Sequence, residues 1–353
     1  MAWETVVLEV AGQPLAFTRV ELRVSAEEVS REASFDIAWV QPGPPCGPDE
    51  DATIKVSGEL WLTGFTRDVR GSLSADRRSY ALTVVSKSVD ATEASVDHPT
   101  GLAKDLDLKG IAETFDTLGI GIETTIQTAK KKFHKLRLGE TWFQTLETEA
   151  RSQGVLIHDT AEGKLKLSKG PDGKIAGALR EGVNIEQASA TISGRGTFSE
   201  VKVRGQASEG TTKTALRPVG EAPAGGKRKR PLIKVHEGEA TSERLKDRAA
   251  WEAKRAAGSA KECTVTTPGW RSNGQLFEAN KTIEVIIPAF GIEQQMTIAS
   301  IVFEQEASDG QGGGTKATLT LKDPRALGGE NPRGKSADSW AAPAVPIPTF
   351  RAD

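Results

Sequence analysis

The hydrophobic period of this 353-residue chain changes twice, and that change constrains the fold more than any single motif. Up to about residue 93, short segments alternate apolar and polar residues, which is typical of half-buried β-strands. Between about 94 and 171 the apolar residues recur at helical spacing, and after residue 185 the alternation returns. The sequence therefore predicts two β regions separated by mixed α/β material.

The first β region contains six segments that we expect to be strands. They cover residues 4–10, 16–24, 34–40, 53–56, 59–69 and 78–86. Turn clusters such as AGQP and RGSLSAD separate them, with Gly and Pro supplying unusual backbone angles. Phe35, Ile37 and Trp39 share one side of the third segment, so that strand should be half buried. Short strands at this spacing indicate a small barrel or sandwich.

The middle of the chain repeats one order of elements twice. Leu108, Ile111, Phe115 and Leu118 predict a helix, Gly119 ends it, and residues 120–125 follow as a strand. A second helix spans 141–152, with Thr141 as its cap, before Gly154 and a strand over 155–158. Phe143, Leu146 and Ala150 form its apolar side, with Trp142 in that core or against a neighbouring subunit. Lys130, Lys131 and Lys132 fall on a polar connection.

The second β region begins after residue 185 and is interrupted once. Strands are expected over 190–192, 197–206, 262–267, 281–287, 295–304 and 315–321. Residues 207–240 read as a loop, and 241–258 as an exposed helix capped by Thr241, with Leu245, Ala249 and Trp251 as sparse apolar contacts. The predicted organisation is a first β domain (1–93), which is a small barrel or sandwich, an α/β insertion (94–171), a second β domain (172–326) with a loop and helix excursion at 207–260, and an extended C-terminal tail (327–353).

Composition excludes several classes of function. The net charge is −2 with 27% charged residues, so no chain-wide field for nucleic acid is present. Cys46 and Cys263 are far apart and in no metal spacing, which argues against disulfide scaffolding and zinc. The first residues lack the pattern of a signal peptide, and no apolar run is long enough to cross a bilayer. We expect the protein to be synthesised in the cytoplasm. We expect no stable insertion into a membrane.

Several motifs invite a chemical interpretation that their context does not support. Residues 329–336 (GENPRGKS) match the phosphate-loop pattern, but no apolar strand precedes them, a proline interrupts them and no helix pattern follows. The basic run at 227–230 lacks interleaved aromatics and reads as a solvated loop, although an acidic protein partner stays open. Four histidines, His98, His134, His158 and His236, show no metal-ligand spacing.

No other residue set points to catalysis or to a cofactor. Glu147 with Glu149 and Asp105 with Asp107 are ordinary surface pairs, and no nucleophile elbow occurs. Asn280–Thr282 matches the N-glycosylation sequon, but this modification requires secretion. Most of the seven tryptophans should be packing anchors, whereas Trp3, Trp61 and Trp251 are equally compatible with contacts between subunits. We therefore predict no catalytic, cofactor-binding or metal-binding residues and no enzymatic activity.

Four segments, in order, resemble one known family. They are DLKGIAETFDTLGIGIE (107–123), LGETWFQTLETEARSQGVLIHDTAEGKLKLSK (138–169), FSEVKVRGQ (198–206) and PGWRSNGQLFEANKTIEV (268–285). The chain is similar to the baseplate hub proteins of Mu-like contractile-tailed bacteriophages. These are related to the late control protein D group of P2-like phages and to the N-terminal part of type VI secretion spike proteins. The resemblance covers most of residues 1–325.

The resemblance implies a mainly β, α+β fold with two small β-barrels joined by α/β material and assembled as a homotrimer. Three chains with two similar barrels each present six quasi-equivalent units, so a trimer can join a sixfold tail tube to a threefold central spike. The implied partners are the central spike, the tail tube, the tape measure protein and the baseplate wedge proteins. The implied location is the tail baseplate of the virion. Nucleic acid binding is not expected.

Two alternative functions stay open at this point. One is a tail-associated peptidoglycan hydrolase, although the spare segments 207–260 and 327–353 are short for a lytic domain. The other is the hub of a phage-derived secretion or injection particle rather than of an infectious phage.

Overall fold

The computed structural model describes residues 3–76, 78–207, 212, 216–307 and 314–336. Its strands in the first β region are β1 Val6–Val10, β2 Gln13–Leu15, β3 Phe17–Ser25, β4 Glu32–Ile37, β5 Asp51–Val56, β6 Glu59–Leu73 and β7 Arg78–Ser86. The middle region contains α1 Asp90–Glu93, β8 Leu102–Leu106, α2 Leu108–Phe115, β9 Ile122–Thr124, β10 Lys131–Lys135, α3 Trp142–Ser152, β11 Leu156–Asp159 and β12 Leu165–Ser168.

The remaining elements belong to the C-terminal half. They are β13 Lys174–Arg180, β14 Gln187–Ile192, β15 Glu200–Gln206, β16 Val219–Pro223, β17 Pro231–Glu239, α4 Ser242–Gly258, β18 Lys261–Pro268, β19 Arg271–Ser272, β20 Gln275–Leu276, β21 Thr282–Ile287, β22 Ile292–Glu306 and β23 Gly314–Lys322. Short 3-10 helices lie at Lys87–Val89, Pro288–Phe290 and Pro324–Leu327. Most strands predicted from alternation are present, with bounds shifted by a few residues, because one side of each faces a core.

One 13-stranded sheet joins the two β regions. Its order is β14-β18-β23-β22-β3-β4-β7-β6-β5-β1-β2, and β21 pairs with both β22 and β13. The link is the antiparallel pair β3–β22, which places Val24 opposite Ile301 and Leu22 opposite Phe303. Both regions also contribute to a single hydrophobic cluster, in which Phe35 and Trp270 are among the fully buried side chains. The two β regions are therefore continuous through backbone hydrogen bonds and packing.

The predicted fold class is confirmed at the coarser level, since the chain is mainly β with a minority of helix. The strand order does not close into a barrel among the described residues, because β14 and β2 stand at opposite ends of the pairing path. The predicted domain boundaries stay a prediction.

The α/β insertion has its own core beside the main sheet. Thr141 caps α3 with a full capping box: its side chain accepts from Gln144 N at 3.2 Å, and Gln144 Oε1 accepts from Thr141 N at 3.0 Å. Gly154 then takes the left-handed conformation at φ 66°, as predicted. Trp142 is 1% exposed and donates from Nε1 to Ala112 O at 3.0 Å. The structure therefore places Trp142 in this core, in contact with α2.

The interpretation of residues 207–240 as a loop is wrong for much of that segment. β16 and β17 flank β15 in a separate three-stranded sheet, with β17 parallel to β15. The interpretation of α4 as an exposed helix is also wrong, because Leu245, Ala249 and Ala253 pack on Val201 and Val203 of β15. Small alanines let α4 lie close to the sheet, and this burial was not apparent from a pattern rich in charge.

The lysines at 130–132 were predicted on a polar connection, but Lys131 and Lys132 belong to β10. The extended tail expected from residue 327 is described as far as Ser336. Arg333 O accepts from Gln295 N at 2.8 Å, and Ser336 N donates to Glu293 O at 3.1 Å. These bonds place residues 333–336 beside the start of β22, on the main sheet. The prediction for residues 337–353 lies outside the described residues.

Candidate assembly interface

Arg31 ties the α/β insertion to the first β region. Its Nε lies 2.8 Å from Asp159 Oδ2, its own backbone amide donates to the same oxygen, and its NH1 donates to Trp61 O at 2.6 Å. The guanidinium also lies 5.4 Å from the centroid of the Trp61 ring. The Asp159 side chain is 1% exposed, so its charge has no compensation from water. This junction fixes the insertion against the sheet.

Arg271 forms a second junction, between the N-terminus and the second β region. Its Nε lies 2.9 Å from Glu4 Oε1 and its NH1 lies 2.9 Å from Glu59 Oε1. Gln305 on β22 completes the contact, because its Nε2 donates to Glu4 O at 2.9 Å. The hydrogen bond to Glu4 raises the pKa of Arg271. The guanidinium therefore stays charged, and the two β regions are held by ionic contacts as well as by β3–β22.

A polar cluster lies inside the insertion. The interpretation of Glu149 as part of a surface pair with Glu147 is wrong, because Glu149 is 8% exposed. Lys131 Nζ is 2.9 Å from Glu149 Oε2, and His134 Nε2 is 2.9 Å from Thr145 Oγ1. Burial and the Lys131 charge lower the pKa of His134. Burial alone would raise the pKa of Glu149, but Lys131 and a hydrogen bond from Gln153 hold it below its usual value. The cluster is an ion pair beside a neutral imidazole, and it satisfies its own members.

His158 lies in a polar cleft between the insertion and the main sheet. Its Nδ1 is 3.2 Å from Asp159 O, and its Nε2 is 3.7 Å from Asp172 Oδ2. Burial lowers the pKa of His158, so its ring is neutral near pH 7. Lys166 compensates the Asp172 carboxylate at 2.7 Å. Among the described residues, the Nδ1 contact holds the ring in the cleft, whereas the buried Nε2 has no hydrogen-bond partner.

The described residues contain no group of three or more His, Cys, Asp and Glu side chains that is arranged to hold a metal ion. None of the described helices is long and apolar enough to cross a membrane. Burial raises the pKa of the Cys263 thiol to about 11, and burial with the nearby Glu50 raises that of Cys46 to about 11. Both thiols are therefore protonated at neutral pH and poor nucleophiles.

The phosphate-loop match at residues 329–336 forms no phosphate cradle in the structure. Gly329 N donates to Pro324 O at 2.9 Å, and Glu293 N donates to Ser336 Oγ at 2.8 Å. Lys335 pairs with Glu293 at 2.6 Å. The amide of Gly329 and the Ser336 hydroxyl, which the motif would direct at a phosphate, are engaged with the protein itself. The segment is an extension of the sheet edge.

Asn280, the sequon residue, is 1% exposed and donates from Nδ2 to Ser168 Oγ and Gly170 O. It joins the insertion to the second β region. Trp61 and Trp251, which the sequence left open as subunit contacts, are each 4% exposed and belong to the interior. Trp3 is 57% exposed. The contact of Trp3 with another subunit therefore stays a prediction.

The basic run at 227–230 borders a groove that the sequence did not predict. We call it the α4 groove, and it is lined by Ile192–Gly194, Thr197, Ala224–Arg228, Ala257, Ala260, Lys261, Asp323 and Arg325. Its volume is about 480 Å³. Lys227 and Arg228 are exposed at its rim, whereas Arg230 stacks on Phe198 at 5.1 Å and donates to Gly194 O. Arg230 therefore has a structural role, whereas Lys227, Arg228 and Lys229 are exposed cations.

Lys261, which lines the groove, is 2% exposed, and its Nζ donates to Gln294 Oε1 at 2.8 Å. Burial lowers its pKa to about 8. Between pH 8 and the ordinary lysine value the unfolded chain binds more protons than the folded chain, so folding stability rises with pH. We expect the free energy of unfolding to rise by at most about 1.4 kcal/mol per pH unit there, relative to Lys261→Met.

Urea unfolding of both proteins at several values between pH 7.5 and 10 measures this difference. The comparison with Lys261→Met removes the contributions of the other titrating groups. An identical pH dependence of the two proteins would show that Lys261 titrates as an exposed lysine.

The outward face of the small sheet carries the clearest set of exposed apolar side chains. Register places Val219, Arg204 and Val235 in one row, and Glu221, Lys202 and Ile233 in the next. Val235 is 78% and Ile233 is 51% exposed. β17 pairs only with β15 among the described residues, so its other edge is open. An open edge beside aliphatic side chains is suited to contact another chain.

Sequence reasoning missed this face because β17 lies in the segment interpreted as a loop. The alternation of Leu232, Lys234 and His236 with Ile233 and Val235 is present in the sequence. It was obscured because both sets contain apolar residues, so no single buried side stood out.

The C-terminal part of the chain is similar in sequence to a known protein family. Residues 241–330 match the family model described as the fourth domain of the Mu phage baseplate assembly protein GpP. The matched region holds α4, β18 to β23 and the 3-10 helix at Pro324–Leu327. No curated protein matches the sequence.

Solved structures match over nearly the whole chain. The 43 kDa tail protein of prophage MuSo2 from Shewanella oneidensis has a TM-score of 0.78 and 24% identity, covering 92% of this chain and 99% of that one. A tail protein from Neisseria meningitidis has a TM-score of 0.74 and 18% identity, covering 93% and 99%. An E. coli type VI secretion component, described as similar to the T4 tail proteins gp27 and gp5, has a TM-score of 0.55 and 9% identity, covering 89% and 76%.

These identities establish a shared fold, and the family model adds a sequence relationship. The resemblance to Mu-like baseplate proteins is thereby confirmed: residues 241–330 match the fourth domain of the GpP family, and the chain as a whole has the fold of the prophage tail proteins.

Proposed function

We propose that this protein is a baseplate hub of a contractile phage tail, a structural adaptor between the sixfold tail tube and the threefold central spike. The observation that carries the proposal is the match of residues 241–330 to a Mu phage baseplate assembly protein. The shared fold with two prophage tail proteins over more than nine-tenths of the chain supports it. The hub is a component of the virion, made in the host cytoplasm, and its neighbours include the tape measure and wedge proteins.

The architecture suits a part that transmits force rather than one that turns over substrate. The β3–β22 pairing and the Arg271 junction connect the two β regions, and the Arg31 junction holds the insertion. Loads between spike and tube then pass through backbone hydrogen bonds and buried ion pairs. We propose no catalytic role for the protein. An assay on purified peptidoglycan tests this, and wall cleavage by the purified chain would favour the hydrolase alternative.

Imaging of intact particles by cryo-microscopy tests the hub itself. We expect density for the chain at the tail tip, three copies per particle, between the tube and the spike. Density at any other position in the particle would refute the hub. Particles that carry the same chain but deliver no genome would instead identify the hub of a phage-derived injection device.

We assign the outward face of the small sheet to the contact between copies in a homotrimer. Ile233 and Val235 supply the exposed apolar surface, and the Lys202–Glu221 pair beside them adds charges of both signs. In a cyclic trimer this face would contact a different, complementary surface of the next copy. The open edge of β17 offers unpaired backbone groups. Interfaces of this kind commonly have a few apolar side chains that contribute most of the binding energy.

Replacing Val235 with Asp should weaken trimer formation by about 30-fold or more, because a buried interface carboxylate loses hydration without gaining a partner. Light scattering over a concentration series measures the shift from trimer to monomer. Val183→Asp is the matched control, since Val183 is 77% exposed and lies on another part of the surface. A wild-type chain that stays monomeric at all concentrations, or equal effects of the two variants, would contradict the assignment.

A further inference from the structure

The α4 groove combines an apolar base with a cationic rim. Ile192, Ala224 and Ala257 supply apolar surface, and Lys227 and Arg228 are exposed at the opening. The Asp323 and Arg325 side chains in its wall compensate each other at 2.8 Å, and the other charged side chains of the lining are the cations Lys227, Arg228 and Lys261. A ligand for this groove therefore needs apolar groups for the base and a carboxylate for the rim.

The described chain ends beside this groove. Ser336 Oγ donates to Gln294 Oε1 at 3.0 Å, and Lys261 Nζ donates to the same oxygen at 2.8 Å. Lys261 lines the groove, so the point from which residue 337 continues is one side chain away from it. The hydrogen bonds of residues 333–336 to β22 hold that point in place. A segment anchored this way has a high local concentration at the groove.

The sequence that follows has the composition that the groove requires. Residues 337–353 read ADSWAAPAVPIPTFRAD, with Trp340, Val345, Ile347 and Phe350 as apolar side chains. Asp338 and Asp353 carry carboxylates for the basic rim. Pro343, Pro346 and Pro348 have a fixed φ, which lowers the conformational entropy lost on binding. Since an extended residue spans about 3.3 Å, a few residues suffice to enter a groove beside the anchor.

We propose that residues 337–353 bind in the α4 groove of the same chain. The apolar side chains occupy the base between β14 and the C-terminal end of α4, and an aspartate pairs with Lys227 or Arg228 at the rim. This assigns a partner to the groove and a role to the basic run that the hub function does not require.

A chain shortened after Ser336 and a fluorescent peptide of residues 337–353 provide the test. The anchor of residues 333–336 remains in the shortened chain, so its fold should be retained. We expect the peptide to bind the shortened chain with saturation and to bind the full chain at least about 10-fold more weakly, because the groove is occupied there. No binding to the shortened chain, or equal binding to both, would overturn the proposal.

Charge reversal at the rim tests the location. Lys227→Glu with Arg228→Glu in the shortened chain should weaken peptide binding about 10-fold or more, because the aspartates then meet like charges. Lys229→Glu is the matched control, since Lys229 is exposed in the same run but does not line the groove. Equal losses in both variants would show non-specific attraction and refute the site.

A second copy of the chain is the main competing source of the segment. Hydrogen exchange of residues 193–197 and 224–228 in the full and shortened chains distinguishes the two sources. Slower exchange in the full chain that is independent of protein concentration supports binding within one chain. Slowing that appears only at high concentration, together with a larger mass in light scattering, would overturn it in favour of exchange between copies.

Discussion

Arg31→Ala is expected to lower the free energy of unfolding by about 3–5 kcal/mol, because it leaves the buried Asp159 carboxylate without its partner. The Asp159 side chain is 1% exposed, and it accepts from both Nε and the backbone amide of Arg31. The variant also loses the hydrogen bond to Trp61 O and the contact with that ring. Denaturant unfolding, followed by circular dichroism, measures the change.

Arg23→Ala is the matched control for this prediction. Arg23 pairs with Glu21 on β3, but its side chain is 62% exposed, so we expect a loss below about 1 kcal/mol. In a double-mutant cycle with Asp159→Asn, the second substitution should cost less when Arg31 is already absent. Additive losses in the cycle would show that the two side chains act independently, contrary to the junction described.

Trp142→Ala should lower the stability of the insertion by about 3–5 kcal/mol, because it removes the largest side chain from a closed core and leaves a cavity. Trp142 packs with Phe115 and Leu146, and its Nε1 donates to Ala112 O. Losing the donor leaves a buried carbonyl without that bond. Hydrogen exchange of α2 and α3 should rise with the loss, since these helices share the core.

Trp3→Ala provides the comparison at the surface, where the same change in volume creates no cavity. Trp3 is 57% exposed, so the monomer should lose less than about 1 kcal/mol. Trp142→Phe separates packing from the hydrogen bond, because it keeps an aromatic ring and removes the donor. Equal losses in Trp3→Ala and Trp142→Ala would contradict the position of Trp142 in the core.

Both predictions concern the α/β insertion, which we expect to unfold before the main sheet. The insertion has a core of its own and is attached to the sheet by polar contacts that include the buried ion pair of Arg31 with Asp159. The main sheet continues through both β regions. A variant that loosens the insertion should therefore leave the main sheet folded, and separate unfolding transitions would report this.

The second helix–glycine–strand unit of the insertion was predictable because it depends on local chemistry. The first was predicted less well, since α2 ends at Phe115 and Leu118 lies beyond it, 39% exposed. Thr141 caps α3 and Gly154 ends it, so bounds within a residue or two followed from sequence neighbours. The alternating strands of both β regions were predictable for a similar reason, since each buries one side. By contrast, β17 has apolar residues on both faces and follows a basic turn, so no local signal separated it from a loop.

The residues that could contact other subunits were harder to predict from the sequence than the fold. Trp3 is exposed and its contact with another chain stays a prediction, whereas Trp61 and Trp251 are interior, and their sequence neighbours gave no indication of the difference. Exposure of Ile233 and Val235 depends on which side of β15 receives α4. That choice is made by Val201 and Val203 packing on the alanines of a helix more than forty residues away in the chain.

By itself the sequence determined the class of the fold, the order of most elements and the caps of α3 and α4, because these depend on periodicity and on neighbours in the chain. Only the tertiary structure decided that β3 and β22 join both β regions into one sheet. It also decided that Arg31 meets Asp159, and that residues 333–336 lie beside β22 near the groove. These contacts connect residues far apart in sequence, and their energies depend on burial, which no local pattern specifies.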